Sequence, residues 1–430
     1  MVMWLLFLAA LMAPQVRAQV TQPAGTAGIA QSPARTNSGA AKRGPYDESV
    51  ANPYPLPDPL RLKNGQPVKD STVWWQQRRP EILEDFRSQI YGRIPGNTPK
   101  ITWQVTDIDT NAAGGLAIKK TVVGQIDNSQ YTNAHPSIHL TFYTPVHAAG
   151  PVPMMVVVVP GPGGYGAPRP GHLDAWSEPQ PDPPPGSPLY QLLAIGWGYG
   201  TFEVGPIQND YRGGLSSGII GLMSRGRPRK PDDWGALSAW AWGLSRAMDY
   251  FETDKSVDAR QMGVEGHSRY GKTALLAAAL DPRWAIVFAS CSGELGAKPS
   301  RRNWGETVDN VASSHWVAPN FHKYAGHWND LPVDAHELIA LVAPRPVFLN
   351  GGTKDQWADP HGAFLAAVAA GPVYRLLGKQ DLGSTEMPAP DQALTSGDLA
   401  FRYHSGGHSD APDWPAFLQF AQRYLKTPKN

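Results

Sequence analysis

The residues that could do chemistry cluster around one serine in the middle of the chain. Residues 266–273 read GHSRYGKT, which nearly matches the nucleophile elbow G-x-S-x-G, with the second glycine one residue late at Gly271. A serine hydroxyl is a weak nucleophile until an imidazole accepts its proton, and a carboxylate must orient that imidazole. This pattern predicts acyl transfer with Ser268 as nucleophile.

The same eight residues match a second motif in full, the phosphate-binding loop G-x-x-x-x-G-K-[ST]. Both motifs require a strand before and a helix after, so that context does not separate them. A phosphate cradle favours small residues that leave backbone N–H groups free, whereas His, Ser, Arg and Tyr fill the variable positions here. Apart from Asp355, no Asp at the end of an apolar strand suggests itself as a Mg²⁺ ligand. The elbow is the favoured interpretation.

The chain order after Ser268 agrees with the elbow. In α/β-hydrolases the triad follows the order serine, acid, histidine. A late apolar strand is followed by NGGTKDQWADP, which offers Asp355 first and Asp359 second. The C-terminal FRYHSGGHSD offers His404 and His408. We favour His408 as the general base, because a glycine-rich loop can carry its imidazole over the serine.

Acyl transfer also needs donors for the oxyanion of the tetrahedral intermediate. The candidates are the backbone N–H of Arg269, its guanidinium, and the N-terminus of a helix that begins near Gly271. Lys272 stands one helical turn after Ser268 and can share its face. That lysine either meets an acidic or hydroxyl-rich substrate or is simply solvated.

The elements that must position these residues indicate an α/β fold. Strand-like and helical stretches alternate after residue 150, which is typical of a parallel sheet covered by helices on both faces. An earlier helix and three alternating strands precede them. Predicted strands lie at 101–105, 117–123, 138–143, 154–159, 198–204, 262–265, 285–289, 347–349 and 399–403. Predicted helices lie at 73–91, 234–251 and 271–279.

Composition sets broad limits on the function. Of the 430 residues, 41% are apolar and 17% charged, which suits one large domain or two smaller domains with a sizeable core. The formal net charge of +1 gives no reason to expect nucleic acid as a partner. The single cysteine, Cys291, excludes an intramolecular disulfide and is expected to be a small buried side chain.

The N-terminal region is predicted to direct export. Residues 4–12 form an apolar run too short to span a bilayer, and a small-residue cleavage site follows it, so residues 1–18 are interpreted as a signal peptide. Residues 19–45 read as a disordered linker, and residues 46–430 as the catalytic domain. We therefore expect a secreted or periplasmic protein that is free of the membrane after cleavage.

The segment GHSRYGK resembles the G-C-S-R-x-G-K signature of the glucuronoyl esterases, with His267 in place of the cysteine. The resemblance covers most of residues 46–426 and includes WWQQRRPEILEDF, CSGELGAKPSRRNWGETVDN, HWVAPNF, ELIALVAPRP and the final GGH. It implies an α/β-hydrolase fold without a cofactor, and it implies that the substrates are esters of 4-O-methyl-glucuronic acid that join xylan to lignin alcohols. A monomer is expected.

The resemblance also implies a role for individual residues. Ser268 would be the nucleophile, His408 the base and Arg269 part of the oxyanion hole. The residues that would contact the hydroxyls and ring of the sugar are Lys272, Glu306 and Trp357.

The triad acid is where the sequence departs from many family members. They carry a glutamate after the strand that follows the elbow helix, and that position is Cys291 here. A thiol cannot replace a carboxylate as the partner of histidine. Some bacterial members are similar in using an acid after the later strand, which Asp355 fits. Asp359 and Glu294 remain alternatives.

Structural roles compete with several of these interpretations. Glu306 could instead pair with Arg301 or Arg302, and Trp357 could serve packing alone. Three further histidines match no standard zinc spacing, so no metal site is predicted; they are His322, His327 and His336. The competing functions are another carbohydrate esterase, such as an acetyl xylan esterase, and a non-catalytic sugar-binding protein.

Overall fold

The computed structural model describes residues 46–51, 54–161 and 182–427. The predicted signal peptide and linker, residues 1–18 and 19–45, lie outside the described residues. Every helix in the described ranges is too short or too polar to cross a lipid bilayer.

Ten strands of the described residues form one sheet, in the order β1-β2-β3-β5-β4-β6-β7-β8-β10-β9. The strands from β5 through β4, β6, β7 and β8 to β10 are parallel, while both flanks of the sheet are antiparallel. The strands are β1 (Ile101–Asn111), β2 (Ala117–Ile126), β3 (Ser137–Pro145), β4 (Val152–Val159), β5 (Gly198–Glu203), β6 (Val257–His267), β7 (Ile286–Ser290), β8 (Val347–Gly352), β9 (Gln392–Leu394) and β10 (Leu399–His404).

Helices cover both faces of the sheet, as predicted. The α-helices are α1 (Glu48–Ala51), α2 (Ser71–Val73), α3 (Arg79–Asp85), α4 (Ala112–Gly115), α5 (Pro188–Ala194), α6 (Ile219–Ser224), α7 (Ala236–Phe251), α8 (Arg269–Leu280), α9 (Val308–Val311), α10 (Ala335–Val342), α11 (Pro360–Leu376) and α12 (Trp414–Ala421). Short 3₁₀-helices lie at Arg212–Ser216, Pro319–Tyr324, Trp328–Asp330, Gln356–Ala358 and Ala411–Asp413, and π-helical turns at Trp74–Arg78 and Phe86–Ile90.

The central strands bury side chains on both faces, which explains their continuous apolar sequence. Along β4, Met154 and Val156 belong to the larger core, which includes residues of α7, α8, α10 and α11. Met155, between them, belongs to a second core with residues of α5 and α12. Phe288 of β7 continues that second core, and its ring stacks on Phe417 of α12 with centroids 4.9 Å apart.

Helix α8 matters most for the site because it begins directly after Ser268. Its C-terminal carbonyl groups are held by arginines from distant segments. Arg345 donates to the backbone oxygen of Ala278 (2.6 Å), and Arg79 donates to that of Ala279 (2.9 Å). Arg345 also donates to the backbone oxygen of Trp284 (2.8 Å), which lies beyond the end of α8. Burial lowers the pKa of Arg345 to about 10, so this cation remains charged at neutral pH and complements the negative end of the helix.

We predict that Arg345→Met lowers the free energy of unfolding by about 2–3 kcal/mol, because it leaves partly buried carbonyl acceptors without a charged donor. Urea denaturation followed by circular dichroism measures this change. The control is Arg260→Met. The Arg260 side chain is 89% exposed, so this substitution should lower the free energy of unfolding by less than about 0.5 kcal/mol. Equal losses in the two variants would contradict the anchoring role of Arg345.

Candidate active site

Ser268 occupies the tight turn between β6 and α8. β6 ends at His267 and α8 begins at Arg269, so the serine alone joins them. Its backbone has φ 60° and ψ −126°, a conformation that is unfavourable for a residue with a side chain and is often kept at functional sites. The Ser268 N–H donates to the carbonyl of Ser290, 2.8 Å away at the end of β7. This is the sharp strand-to-helix turn that a nucleophile elbow requires.

Two glycines permit this turn. A Cβ at Gly266 would lie 2.1 Å from the backbone oxygen of Tyr270, and one at Gly271 would lie 2.7 Å from that of Ser290. Both contacts are with backbone, which cannot move aside as a side chain could. The glycine that stands one residue late in the motif therefore still serves close packing of α8 against the sheet.

His408 is brought to the elbow from the far end of the chain. Its Nδ1 lies 2.7 Å from Oδ2 of Asp355, and its ring centroid lies 4.4 Å from that of His267, the neighbour of Ser268. The Asp355 side chain is 3% exposed and that of His408 is 38% exposed. An imidazole with one nitrogen held by a buried carboxylate and access to solvent can act as a general base.

His267 supports this arrangement from the strand side. Its Nδ1 lies 3.1 Å from the Oγ of Ser290. Burial, together with repulsion from His408, lowers the pKa of His267 to about 4. The ring that packs on His408 is therefore neutral near pH 7 and adds no competing charge beside the Asp355 carboxylate.

The other candidate acids have different partners. The buried carboxylate of Glu294 accepts from Lys298 Nζ (2.9 Å) and from the hydroxyl of Ser300. Asp359 accepts from Arg302 Nε (2.8 Å) and caps the first turn of α11 through the N–H of Gly362. Of the three carboxylates left open by the sequence, Asp355 is the one in contact with His408.

The alternative histidine is also engaged elsewhere. His404 is fully buried, and its Nδ1 lies 2.8 Å from the Asp413 carboxylate. Its Nε2 lies 3.0 Å from the backbone oxygen of Gly407. This second histidine–aspartate pair supports the loop that carries His408.

Arg269, the residue after the serine, is held by a carboxylate that sequence analysis missed. Its Nη1 donates to Oδ2 of Asp210 at 2.8 Å, and its guanidinium lies over the ring of Trp316 at 5.1 Å. Asp210 also contacts His315 Nε2 (2.8 Å) and accepts from Trp316 Nε1 (2.9 Å). Burial raises the pKa of Asp210, but the His315 hydrogen bond and the attraction of Arg269 outweigh it and lower the pKa below its usual value.

Lys272 and Glu306 form a buried ion pair next to the elbow. Lys272 Nζ lies 2.7 Å from Glu306 Oε2 and donates to the backbone oxygens of Ser292 and Glu294, each at 2.7 Å. The lysine side chain is 3% exposed, so the solvated alternative is wrong. The Glu306 carboxylate and the two carbonyl oxygens around this ammonium would repel a phosphate group, which argues against the phosphate-binding loop.

The expected alternative partners of Glu306 bind other carboxylates. Arg301 pairs with Asp334 at 3.1 Å, and Arg302 pairs with Asp359, so the alternative in which Glu306 pairs with one of these arginines is wrong. The backbone N–H of Glu306 donates to the carbonyl of Trp357 at 2.8 Å. Lys272, Glu306 and the half-buried Trp357 are therefore neighbours, as their shared predicted role requires.

The chain is similar to known carbohydrate esterases. Residues 229–378 match the family model of fungal glucuronyl esterases. The chain is 36% identical over 408 residues to carbohydrate esterase MZ0003 from an unknown prokaryotic organism, covering 88% of this chain and 92% of that one. It is 28% identical over 343 residues to 4-O-methyl-glucuronoyl methylesterase 1 of Wolfiporia cocos, covering 76% and 73%.

A similar structure has also been solved. The CE15 glucuronoyl esterase from Teredinibacter turnerae is 38% identical, covers 91% of this chain and 93% of that one, and superposes with a TM-score of 0.77. Together with the helix-covered sheet, this similarity confirms the predicted α/β-hydrolase fold.

Proposed function

Because the chain belongs to the glucuronoyl esterases of carbohydrate esterase family 15, we propose that it hydrolyses esters of 4-O-methyl-glucuronic acid, such as those that link glucuronoxylan to lignin alcohols. The observation that carries this proposal is the 2.7 Å contact between His408 and Asp355, beside the elbow that presents Ser268. The name of the Wolfiporia cocos relative identifies that protein as an esterase of this substrate class.

In the proposed mechanism, His408 accepts the proton of the Ser268 hydroxyl through Nε2 while Asp355 holds its Nδ1–H. The serine Oγ attacks the ester carbonyl and forms a tetrahedral intermediate. Collapse of the intermediate breaks the ester bond, and the leaving alcohol takes the proton from His408. Water, activated by the same imidazole, then hydrolyses the acyl-enzyme and releases the uronic acid.

Arg269 is the proposed side-chain donor to the oxyanion, together with its backbone N–H at the start of α8. Preorganised donors are effective because they do not reorient as charge develops on the oxygen. The contacts of Arg269 with Asp210 and Trp316 support this role, since they restrict a long side chain that would otherwise sample many rotamers.

Lys272, Glu306 and Trp357 are the proposed contacts of the uronate ring. The ammonium and carboxylate hold each other in place, and each can exchange part of its hydrogen bonding with a sugar hydroxyl without introducing an unpaired buried charge. An acetyl ester has no ring substituents on the acid side, so this polar pair favours the uronate ester over the competing acetyl xylan esterase activity.

We further propose that the protein is exported and acts as a monomer outside the cytoplasm. The apolar run near the N-terminus supports export. The polymeric nature of the proposed glucuronoxylan substrate agrees with an extracellular or periplasmic site of action.

Parallel assays of methyl glucuronate and acetylated xylan test the proposed substrate. We expect release of methanol from the uronate ester and little release of acetate, with Ser268→Ala lowering kcat for the uronate at least about 10³-fold. Turnover of the acetyl ester alone would overturn the substrate assignment. Binding of glucuronoxylan without hydrolysis, equal in the parent and the Ser268→Ala variant, would instead support the sugar-binding alternative.

Asp355→Asn is expected to lower kcat about 10³- to 10⁴-fold, because an amide does not hold the imidazole in the required tautomer. Steady-state kinetics on methyl glucuronate measures this loss. Glu294→Gln and Asp359→Asn are the comparison variants, and each should retain a larger kcat than Asp355→Asn wherever circular dichroism shows a folded protein. A folded Asp355→Asn variant with kcat within about tenfold of the parent would refute the choice of acid.

Asp210→Asn is expected to lower kcat roughly 10- to 100-fold with a smaller change in KM. The reason is that Arg269 loses its anchor and meets the oxyanion in fewer productive orientations. Asp254→Asn is a matched control, because Asp254 is also a buried carboxylate, paired with Lys120 at 2.8 Å near the start of β6. It should lower stability without lowering kcat. An equal loss of kcat in both variants would show that Asp210 has only a structural role and does not position Arg269 for catalysis.

A further inference from the structure

Three side chains of ligand type meet beside the elbow. One ligand atom each of Cys291, Asp355 and His408 lie within 4.8 Å of one another. In the part of the chain that the structure describes, no other group of three or more His, Cys, Asp or Glu residues has its ligand atoms this close together. The thiol is not used in the proposed hydrolysis, and nothing in that mechanism accounts for its place here.

The chemistry of the three atoms selects a class of cation. Thiolate, imidazole and carboxylate together suit Zn²⁺ and related first-row ions, whereas Mg²⁺ and Ca²⁺ prefer oxygen ligands. With ligand bonds of about 2.0–2.3 Å, tetrahedral coordination places the ligand atoms roughly 3–4 Å apart. Three protein ligands also leave a fourth position open for water.

The two buried ligands are held firmly and the third has room to adjust. The Cys291 N–H donates to Asn350 Oδ1 at 3.0 Å, and the Asp355 N–H to the backbone oxygen of Gly352 at 3.0 Å. His408 is more than one third exposed and follows Gly407, where an added Cβ would meet no atom within 4 Å. A small shift of the His408 side chain can therefore complete the coordination.

Charge balance also favours a dication. Binding releases the Cys291 thiol proton to solvent, and the resulting thiolate and the Asp355 carboxylate together neutralise the two positive charges of the ion. A buried charge is costly unless it is compensated in this way.

We propose that Cys291, Asp355 and His408 form a binding site for a divalent cation of the Zn²⁺ class, and that its occupation reversibly inhibits ester hydrolysis. The metal takes the Asp355 carboxylate and one imidazole nitrogen, and the imidazole keeps its single proton on the other nitrogen, so His408 has no lone pair left to accept the serine proton. The inhibition rests on the proposed function, whereas the binding does not.

Cobalt binding tests the site without reference to activity. Because Cys291 is the sole cysteine of the chain, a thiolate-to-cobalt charge-transfer absorption on adding Co²⁺ to the full protein reports on this residue alone. We expect a band that saturates at one equivalent, disappears on adding Zn²⁺, persists in Ser268→Ala and is absent in Cys291→Ser. Absence of the band from the parent protein would overturn the proposal.

Inhibition is measured with methyl glucuronate as substrate, with and without Zn²⁺ and then with a chelator. We expect Zn²⁺ to lower the parent rate at least tenfold and the chelator to restore it. Cys291→Ser and Cys291→Ala should retain the metal-free rate and require at least about tenfold more Zn²⁺ for the same inhibition. Equal sensitivity of parent and variants would refute the site. A cobalt band in a protein without esterase activity would instead contradict the proposed function and leave the binding site standing.

Discussion

The close approach of α8 to the ends of β6 and β7 is the constraint on which the rest of the site depends. Ser268 can occupy a conformation with positive φ there only because Gly266 and Gly271 have no side chains in the space between helix and sheet. The opposite end of α8 is held by the two arginines Arg79 and Arg345. Packing at one end and hydrogen bonding at the other thus fix the position of the hydroxyl.

Paired charges provide the second level of organisation. Lys272 with Glu306 and Arg269 with Asp210 are ion pairs whose carboxylates are at most 10% exposed. Such pairs contribute little net stability, because desolvation offsets much of their attraction. Their effect here is on orientation: Asp210 restricts the direction of the Arg269 guanidinium, and Glu306 holds the Lys272 ammonium, whose three protons all have acceptors.

The sequence predicted the parts of the site that local patterns encode. The elbow lies between a recognisable strand and helix, and His408 lies in a glycine-rich loop at the expected place in the chain order. Asp210 could not be found in this way, because it lies 59 residues before Arg269 and no periodicity connects the two. The partner of Glu306 was missed for the same reason: the alternative considered was an ion pair with the nearby arginines, while the actual partner is Lys272, 34 residues earlier. Helices α11 and α12 also went unpredicted, although the sheet requires them to cover its last strands.

The sheet explains how an acid after β8, in place of one after β7, can still contact the same histidine. β7 and β8 are adjacent and parallel, with Ser290 opposite Asn350, so their C-terminal ends lie about 5 Å apart. Cys291 follows the first strand directly and Asp355 follows the second by three residues, and both reach His408. An acid after either strand can therefore hold Nδ1 of the imidazole. With Asp355 in contact with the imidazole, the position after β7 does not need a charge, which is compatible with a neutral thiol there.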